Sequence, residues 1–175
     1  MADITFNTTE GQTIARELLI AYLNTGTKDA PVWSAIGKRV EESSTEMDWG
    51  TETVQDILGN TYTTMKKPVI TQPFDPIPLD SGDAAAVKMW NLGVKDHDAQ
   101  ALANQDMMIG HFYADSSQAK FAERYDGCAI AVTGIGGDGG GNLTISSEIT
   151  YGGTRTVGTV KKGVGGAIEF EETAA

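Results

Sequence analysis

Between Glu41 and Asn60 the chain carries six carboxylates, Glu41, Glu42, Glu46, Asp48, Glu52 and Asp56, and no Lys, Arg or His. Its Ser and Thr residues favour extended backbone over helix, and Met47-Asp48-Trp49-Gly50 reads as a turn joining two strands. Neither alternating set of residues in the first arm is apolar, so this arm cannot bury one face as an ordinary core strand does. Three placements stay open for such a hairpin: the wall of a water-filled channel, an edge paired with a neighbouring copy, or a solvated ribbon on a monomer.

The rest of the chain narrows the setting. Its 175 residues read as one domain, 1–175, large enough for a core of its own. A net charge of −11 argues against a protein that neutralises phosphates, which needs clustered Lys and Arg. Cys128 is the single cysteine and lies in the apolar run G-C-A-I-A-V, where a small core residue is expected and no intrachain disulfide can form. No basic segment followed by an apolar run opens the chain, and no apolar run approaches a spanning length, so cytoplasmic synthesis and no membrane partner are expected. Abundant Gly, 21 residues, suits a β-rich fold with many tight turns.

In chain order, residues 1–13 are polar and aperiodic and read as a flexible, extended arm. R-E-L-L-I-A-Y-L (16–23) fits a strand buried on both faces better than a short helix. Residues 32–40 are expected to begin the strand that becomes the acidic hairpin. Leu58-Gly59-Asn60 marks a second turn, and the Thr-rich residues 61–67, closed by Lys66-Lys67-Pro68, read as a projecting loop. Residues 69–79 hold three of the five prolines and are expected to be extended and irregular. Asp83 then opens a helix whose stripe Ala86, Met89, Trp90 and Gly93 would pack on a sheet, with Gly93 ending it. A weaker helical piece is expected over 98–104. Strands follow over 107–113, 120–133, 142–151, 154–161 and 167–171. The sum is a mainly β fold, a β-sandwich or partly open barrel with one flanking α-helix.

Candidate chemistry is thin. The loop G-I-G-G-D-G-G-G (134–141) contains no Lys and is followed by a strand, unlike a phosphate cradle, so a hairpin connection is the better reading. His97 and His111 lack the spacing of a zinc site, and no serine sits in a nucleophile elbow. No catalytic residue, metal or cofactor is expected. Trp49, at the expected hairpin tip, is better suited to a subunit contact than to a sugar platform, and Thr61, Thr63, Lys66 and Lys67 are further candidates for that contact.

Taken together, R-E-L-L-I-A-Y-L (16–23), P-V-W-S-A-I-G-K-R-V-E-E-S-S (31–44), E-T-V-Q-D-I-L-G (52–59), P-F-D-P (73–76), the helix after it and G-G-T-R-T-V-G-T-V (152–160) resemble the major tail proteins of long-tailed bacteriophages, the tail tube subunits. The resemblance spans most of the chain through motifs that carry no chemistry. It implies a non-enzymatic structural protein of the virion tail. Six copies would form a ring whose sheets close into one barrel, and rings would stack into a tube through which double-stranded DNA passes without specific binding. A tape measure protein and a tail terminator are the further partners implied. On this reading the six acids Glu41, Glu42, Glu46, Asp48, Glu52 and Asp56 would line the lumen, where negative charge repels DNA. Residues 1–13 and 61–67 would reach an adjacent ring. Two other readings remain, a carbohydrate- or receptor-binding tail module and a hydrolase using an acid pair.

Overall fold

The computed structural model describes residues 4–116 and 119–173. Among the described residues there are twelve strands: β1 (Thr5–Phe6), β2 (Leu19–Asn24), β3 (Trp33–Ala35), β4 (Glu46–Asp48), β5 (Glu52–Gln55), β6 (Thr61–Thr64), β7 (Val69–Pro78), β8 (Gln105–Ser116), β9 (Ala119–Gly136), β10 (Thr144–Tyr151), β11 (Arg155–Lys162) and β12 (Ile168–Glu172). Ten of them share one sheet, while β5 and β6 pair only with each other.

The eighteen-residue strand β9 divides that sheet into two leaves. Through residues 119–128 it pairs with β8, and through 120–125 with β11 on its other side, giving a first leaf in the order β3-β2-β8-β9-β11-β12. Through residues 129–136 it pairs with β10 instead, giving a second leaf in the order β9-β10-β7-β4. The change of partner falls at Gly127, where the turn Gly152-Gly153 presses against the strand. A Cβ on Gly127 would lie 3.0 Å from the Gly153 Cα, so the close approach requires glycine there.

The two leaves bury their facing sides in one core. Ala21, Leu23, Met107 and Ile109 of the first leaf meet Ile70, Phe74, Ile77, Ile145 and Ile149 of the second. A second cluster lies on the other side of the first leaf, where Tyr22, Met108, Ala122 and Val160 join Trp33, Ile168 and Phe170 from its two edges. The first leaf thus curls until β12 approaches β3, without closing into a barrel. Strand β2 feeds both clusters, which accounts for its apolar residues on both faces.

Helix α1 (Ala84–Trp90) starts where Asp83 accepts hydrogen bonds from the amides of Ala85 and Ala86, and buries Ala85, Ala86 and Met89 against the core. The expected stop at Gly93 is overturned, because the helix continues as a π-helical turn over Asn91–Lys95. Gly93 is there for packing: a Cβ would stand 2.5 Å from Val132 Cγ2. A second short helix, α2 (Ala99–Leu102), is capped by Asp98, within the residues expected.

Three further expectations hold only in part. Residues 69–78 are extended as expected and pair as the strand β7, with the expected irregularity confined to a bulge at Asp75-Pro76. Its prolines are tolerated because β4 pairs only with Val69, Ile70 and Thr71, leaving β7 an edge from Pro73 onward, where no amide is required on that side. The strand begun at residue 32 ends at Ala35 and does not continue into the acidic segment. The segment expected to be a flexible arm is extended, yet Thr5 and Phe6 pair with Asp115 and Ala114 of β8, and Asn7 bonds to Tyr113 and Phe112; residues 1–3 lie outside the described residues.

Candidate subunit and lumen surfaces

The acidic stretch is not a hairpin turning at residues 47–50. Its middle, β4, pairs with β7 instead, through Glu46 to Thr71, Met47 to Ile70 and Asp48 to Val69. The hairpin lies one step later, between β5 and β6, and turns over residues 56–60. The shift has a physical cause: Asp56 organises the turn with its side chain. The carboxylate accepts from the amides of Leu58 and Asn60, from the Asn60 side chain and from the Tyr62 hydroxyl. These bonds, the one from the Asn60 side chain foremost, hold its carboxyl below the usual value. The Asp-to-Gly span Asp56-Ile57-Leu58-Gly59 supplies both the Asx-type bonds and a residue at φ +82°.

The six acids therefore separate. Glu46 and Asp48 lie on β4, in register with Thr71 and Val69. Glu41 and Glu42 stand in an irregular segment held beside β7 by Ser43, whose hydroxyl donates to the Pro73 carbonyl and accepts from Gln72, and whose own carbonyl accepts from Arg16. Glu52 sits on the projecting hairpin and pairs with Lys66 at 3.4 Å. Asp56 belongs to the hairpin turn. Four of the six are thus near the second leaf and two are on the hairpin.

Register on the second leaf shows which side chains share the outer face. Rows run Glu46, Thr71, Thr150, Ala129 and Pro73, Glu148, Ala131 across the strands. The inner rows are Gln72, Ile149, Ile130 and Phe74, Ser147, Val132. Glu148 and Asp75, both exposed, join Glu46 and Asp48 as acids of this leaf, and Asp75 accepts from the Ser146 hydroxyl at 2.5 Å. None of the four strand segments of the leaf contains Lys, Arg or His, whereas the first leaf carries Lys120, Arg124, Arg155, Lys161 and Lys162. Glu148 was legible from alternation, since Ile149 and Tyr151 fix the inward parity of β10. Asp75 was hidden by the prolines and by the bulge it shares with Pro76, two residues of β7 facing the single Ser146 of β10.

The hairpin β5–β6 projects with every residue of both strands exposed. At its turn the Ile57 side chain is wholly exposed, 102%, and Leu58 is 81% exposed; Val54, Tyr62 and Met65 are exposed along its length. A contiguous apolar element of this kind is the mark of a contact surface. Thr61 and Thr63 lie on β6, with Thr63 bonded to Thr53 across the pair. Lys66 and Lys67 are in the return, where the Lys66 amide bonds to the Trp49 carbonyl. Trp49 stands at the base of the hairpin rather than at a tip, partly exposed and outside every aromatic pair among the described residues. Sequence reasoning passed over Ile57 and Leu58, although two aliphatics between Asp and Gly are a signal in themselves.

A dense group of titratable side chains outside these surfaces surrounds Glu123, which accepts from the Tyr125 hydroxyl at 2.6 Å and Arg155 Nε at 2.7 Å and lies 3.3 Å from His111 Nε2. Burial pushes its carboxyl up, and the facing His111, Arg155 and Tyr125 outweigh this and bring it to about 2. Tyr113 bonds to the other ring nitrogen of His111. The cluster is a structural network in which Glu123 is fully engaged, while the buried His111 Nε2 stands near it without a well-aligned hydrogen bond. Among the described residues no three His, Cys, Asp or Glu side chains gather as metal ligands would.

No protein-family model matches the sequence, and no curated protein matches it. Similar chains are found among solved structures. One is the tube-terminating cap of the anti-feeding prophage, with a TM-score of 0.50 at 14% identity, over 87% of this chain and 95% of that one. Two more come from an extracellular contractile injection system, PVC. A chain of its extended sheath–tube complex matches with a TM-score of 0.48 at 12% identity, over 86% of this chain and 95% of that one. A chain of its sheath/tube terminator matches with a TM-score of 0.48 at 13% identity, over 85% and 99%. At 14% identity the likeness to the cap is one of fold alone.

Proposed function

We propose that this chain is a non-enzymatic structural subunit of a phage tail tube, which assembles with itself into stacked hexameric rings and turns the outer face of its second leaf toward the lumen. The observation that carries this reading is the segregation of charge between the leaves: Glu46, Asp48, Asp75 and Glu148 on a leaf with no cation at all. Such a face repels a passing DNA backbone and offers it no phosphate contact. The second leaf also has two open edges. One is β4, and the other is the 129–136 portion of β9, which pairs on one side only. A sheet with two free edges is completed when copies join edge to edge, and closure of the ring removes the edges altogether. The hairpin β5–β6, pointing away from the body with its apolar turn exposed, serves the contact between rings. The tape measure protein, the terminator and the virion location follow from the tail reading and rest on it.

The test is negative-stain electron microscopy of the purified protein across a concentration series, with sedimentation of the same samples. Hollow filaments or six-fold rings are expected. A monodisperse monomer at every concentration would refute self-assembly as the activity of this chain.

A further inference from the structure

The hairpin leaves the body where β4 and β7 begin and end their pairing, at Asp48 and Val69. At the other end of β7, past Pro78, the chain turns through residues 80–83 into α1. There residues 34–38 and 82–84 line an open cleft of about 430 Å³. Ten residues of strand separate the two ends, roughly 30 Å at the usual rise. The cleft has aliphatic walls in Ala35, Ile36 and Ala84. At its rim two cations face one carboxylate: Lys38 Nζ lies 2.6 Å from Asp80, and Arg39, with 63% of its side chain exposed, lies 4.0 Å from the same oxygen. Asp83, the other acid of the cleft, is buried and turned onto the amides of Ala85 and Ala86. At the exposed rim two cations thus stand against one carboxylate, the second carboxylate, Asp83, being buried behind it. The hairpin turn has the complementary character, two exposed aliphatics beside Asp56, whose carboxylate is bonded by amide groups and a hydroxyl and by no cation.

Resting on the tube reading above, we infer that Ile57 and Leu58 of one copy seat in the cleft between β3 and the start of α1 of the next copy, with Asp56 facing Arg39. The contact joins two different patches of the same chain, so it is heterologous and repeats without closing on itself. Because plug and cleft lie at opposite ends of β7, repetition advances along the direction of that strand. This is what stacking into a tube requires, and a turn-to-turn contact would instead stop at a two-fold dimer.

The full-length protein is tested with Leu58→Cys, Ala84→Cys and the double variant, each allowed to assemble and treated with a short bismaleimide. Wild type controls for the buried Cys128. A ladder of dimers, trimers and longer species is expected from the double variant alone. Dimers from Leu58→Cys alone would place turn against turn and overturn the inference. Assembled tubes of the double variant that give no ladder would also overturn it while leaving the tube reading intact, whereas a wild-type protein that never assembles removes both. Asp56→Asn, which keeps the Oδ1 bonds from the Leu58 and Asn60 amides and gives up those that Oδ2 accepts from Asn60 and Tyr62, and Arg39→Gln are each expected to raise the concentration for half-assembly roughly fivefold, as loss of one exposed ion pair does. The two together are expected to do no more than either alone, and additive losses would refute the pairing of Asp56 with Arg39.

Discussion

Replacing Ile57 and Leu58 together by Ser separates assembly from folding. The Ile57 side chain is fully exposed and that of Leu58 nearly so, so the free subunit has almost no contact to lose there, and its thermal midpoint is expected to move by no more than about 2 °C. In a contact between copies each aliphatic side chain contributes about 1.5–3 kcal/mol when removed from water. The pair therefore supplies about 3 kcal/mol at the lower bound, and at tenfold per 1.4 kcal/mol the concentration needed for assembly should rise by roughly 100-fold. The assay is sedimentation across a concentration series beside thermal unfolding followed by circular dichroism. A critical concentration within about threefold of wild type would refute the role given to the hairpin. A fall of many degrees in thermal midpoint would refute it in another way, by showing that the two residues support the fold.

Three further outcomes follow from the same geometry. Glu46→Lys with Glu148→Lys is expected to leave subunits able to assemble while tubes now retain double-stranded DNA; co-sedimentation of labelled DNA at about 50 mM salt, lost by about 200 mM, reads this out, and no retention would count against a luminal face. Gly93→Ala places a Cβ 2.5 Å from Val132 Cγ2 and should destabilise the fold by about 1–3 kcal/mol in urea unfolding, with partial recovery in the Gly93→Ala/Val132→Ala double variant. Glu123, held at about 2 in the folded protein against about 4.5 when free, contributes on the order of 3 kcal/mol. Because the folded value is the lower one, that stabilisation is complete above about pH 4.5 and drains as pH falls toward 2. Glu123→Gln should flatten the decline between pH 5 and pH 3, and an unchanged profile would assign the acid sensitivity elsewhere.

The parts of the fold visible in the sequence are those set by periodicity and capping. The two-sided apolar run ending in Leu23, the Asp83 cap and the long alternating strands of the second half are local signals, and the structure keeps them, except that residues 16–18 of the run form a 3-10 turn and the strand starts at Leu19. What was misread depends on pairing between distant segments. Nothing local to Glu46 indicates that its partner is Thr71 rather than a strand across Gly50, because a polar three-residue strand has no apolar parity to fix its register. Prolines were read as breakers because their tolerance depends on an edge created by the shortness of β4. Of the candidate lumen acids, Glu46 and Asp48 share a leaf with Glu148 and Asp75, which were missed. Glu52 and Asp56 were grouped with them by sequence alone, and the structure carries these two onto the hairpin.

The distribution of charge bears on which way the second leaf faces in an assembly. Carboxylates lose several kcal/mol each when taken from water without a cation partner, so a face bearing Glu46, Asp48, Asp75 and Glu148 with none cannot be the packed contact between subunits. It must stay wet, which leaves the bore or the outside of a tube. An outer surface is bathed in small ions that screen charge within about 10 Å, and nothing there selects against an occasional Lys or Arg. The first leaf, with its five basic residues on two strands, β9 and β11, is a surface of that tolerant kind. A bore through which a polyanion moves is different, since each cation on its wall becomes a phosphate contact that holds the chain back. Exclusion of every cation from four strand segments is therefore the pattern that a bore favours and an outer wall does not, which supports the proposal that the second leaf faces inward.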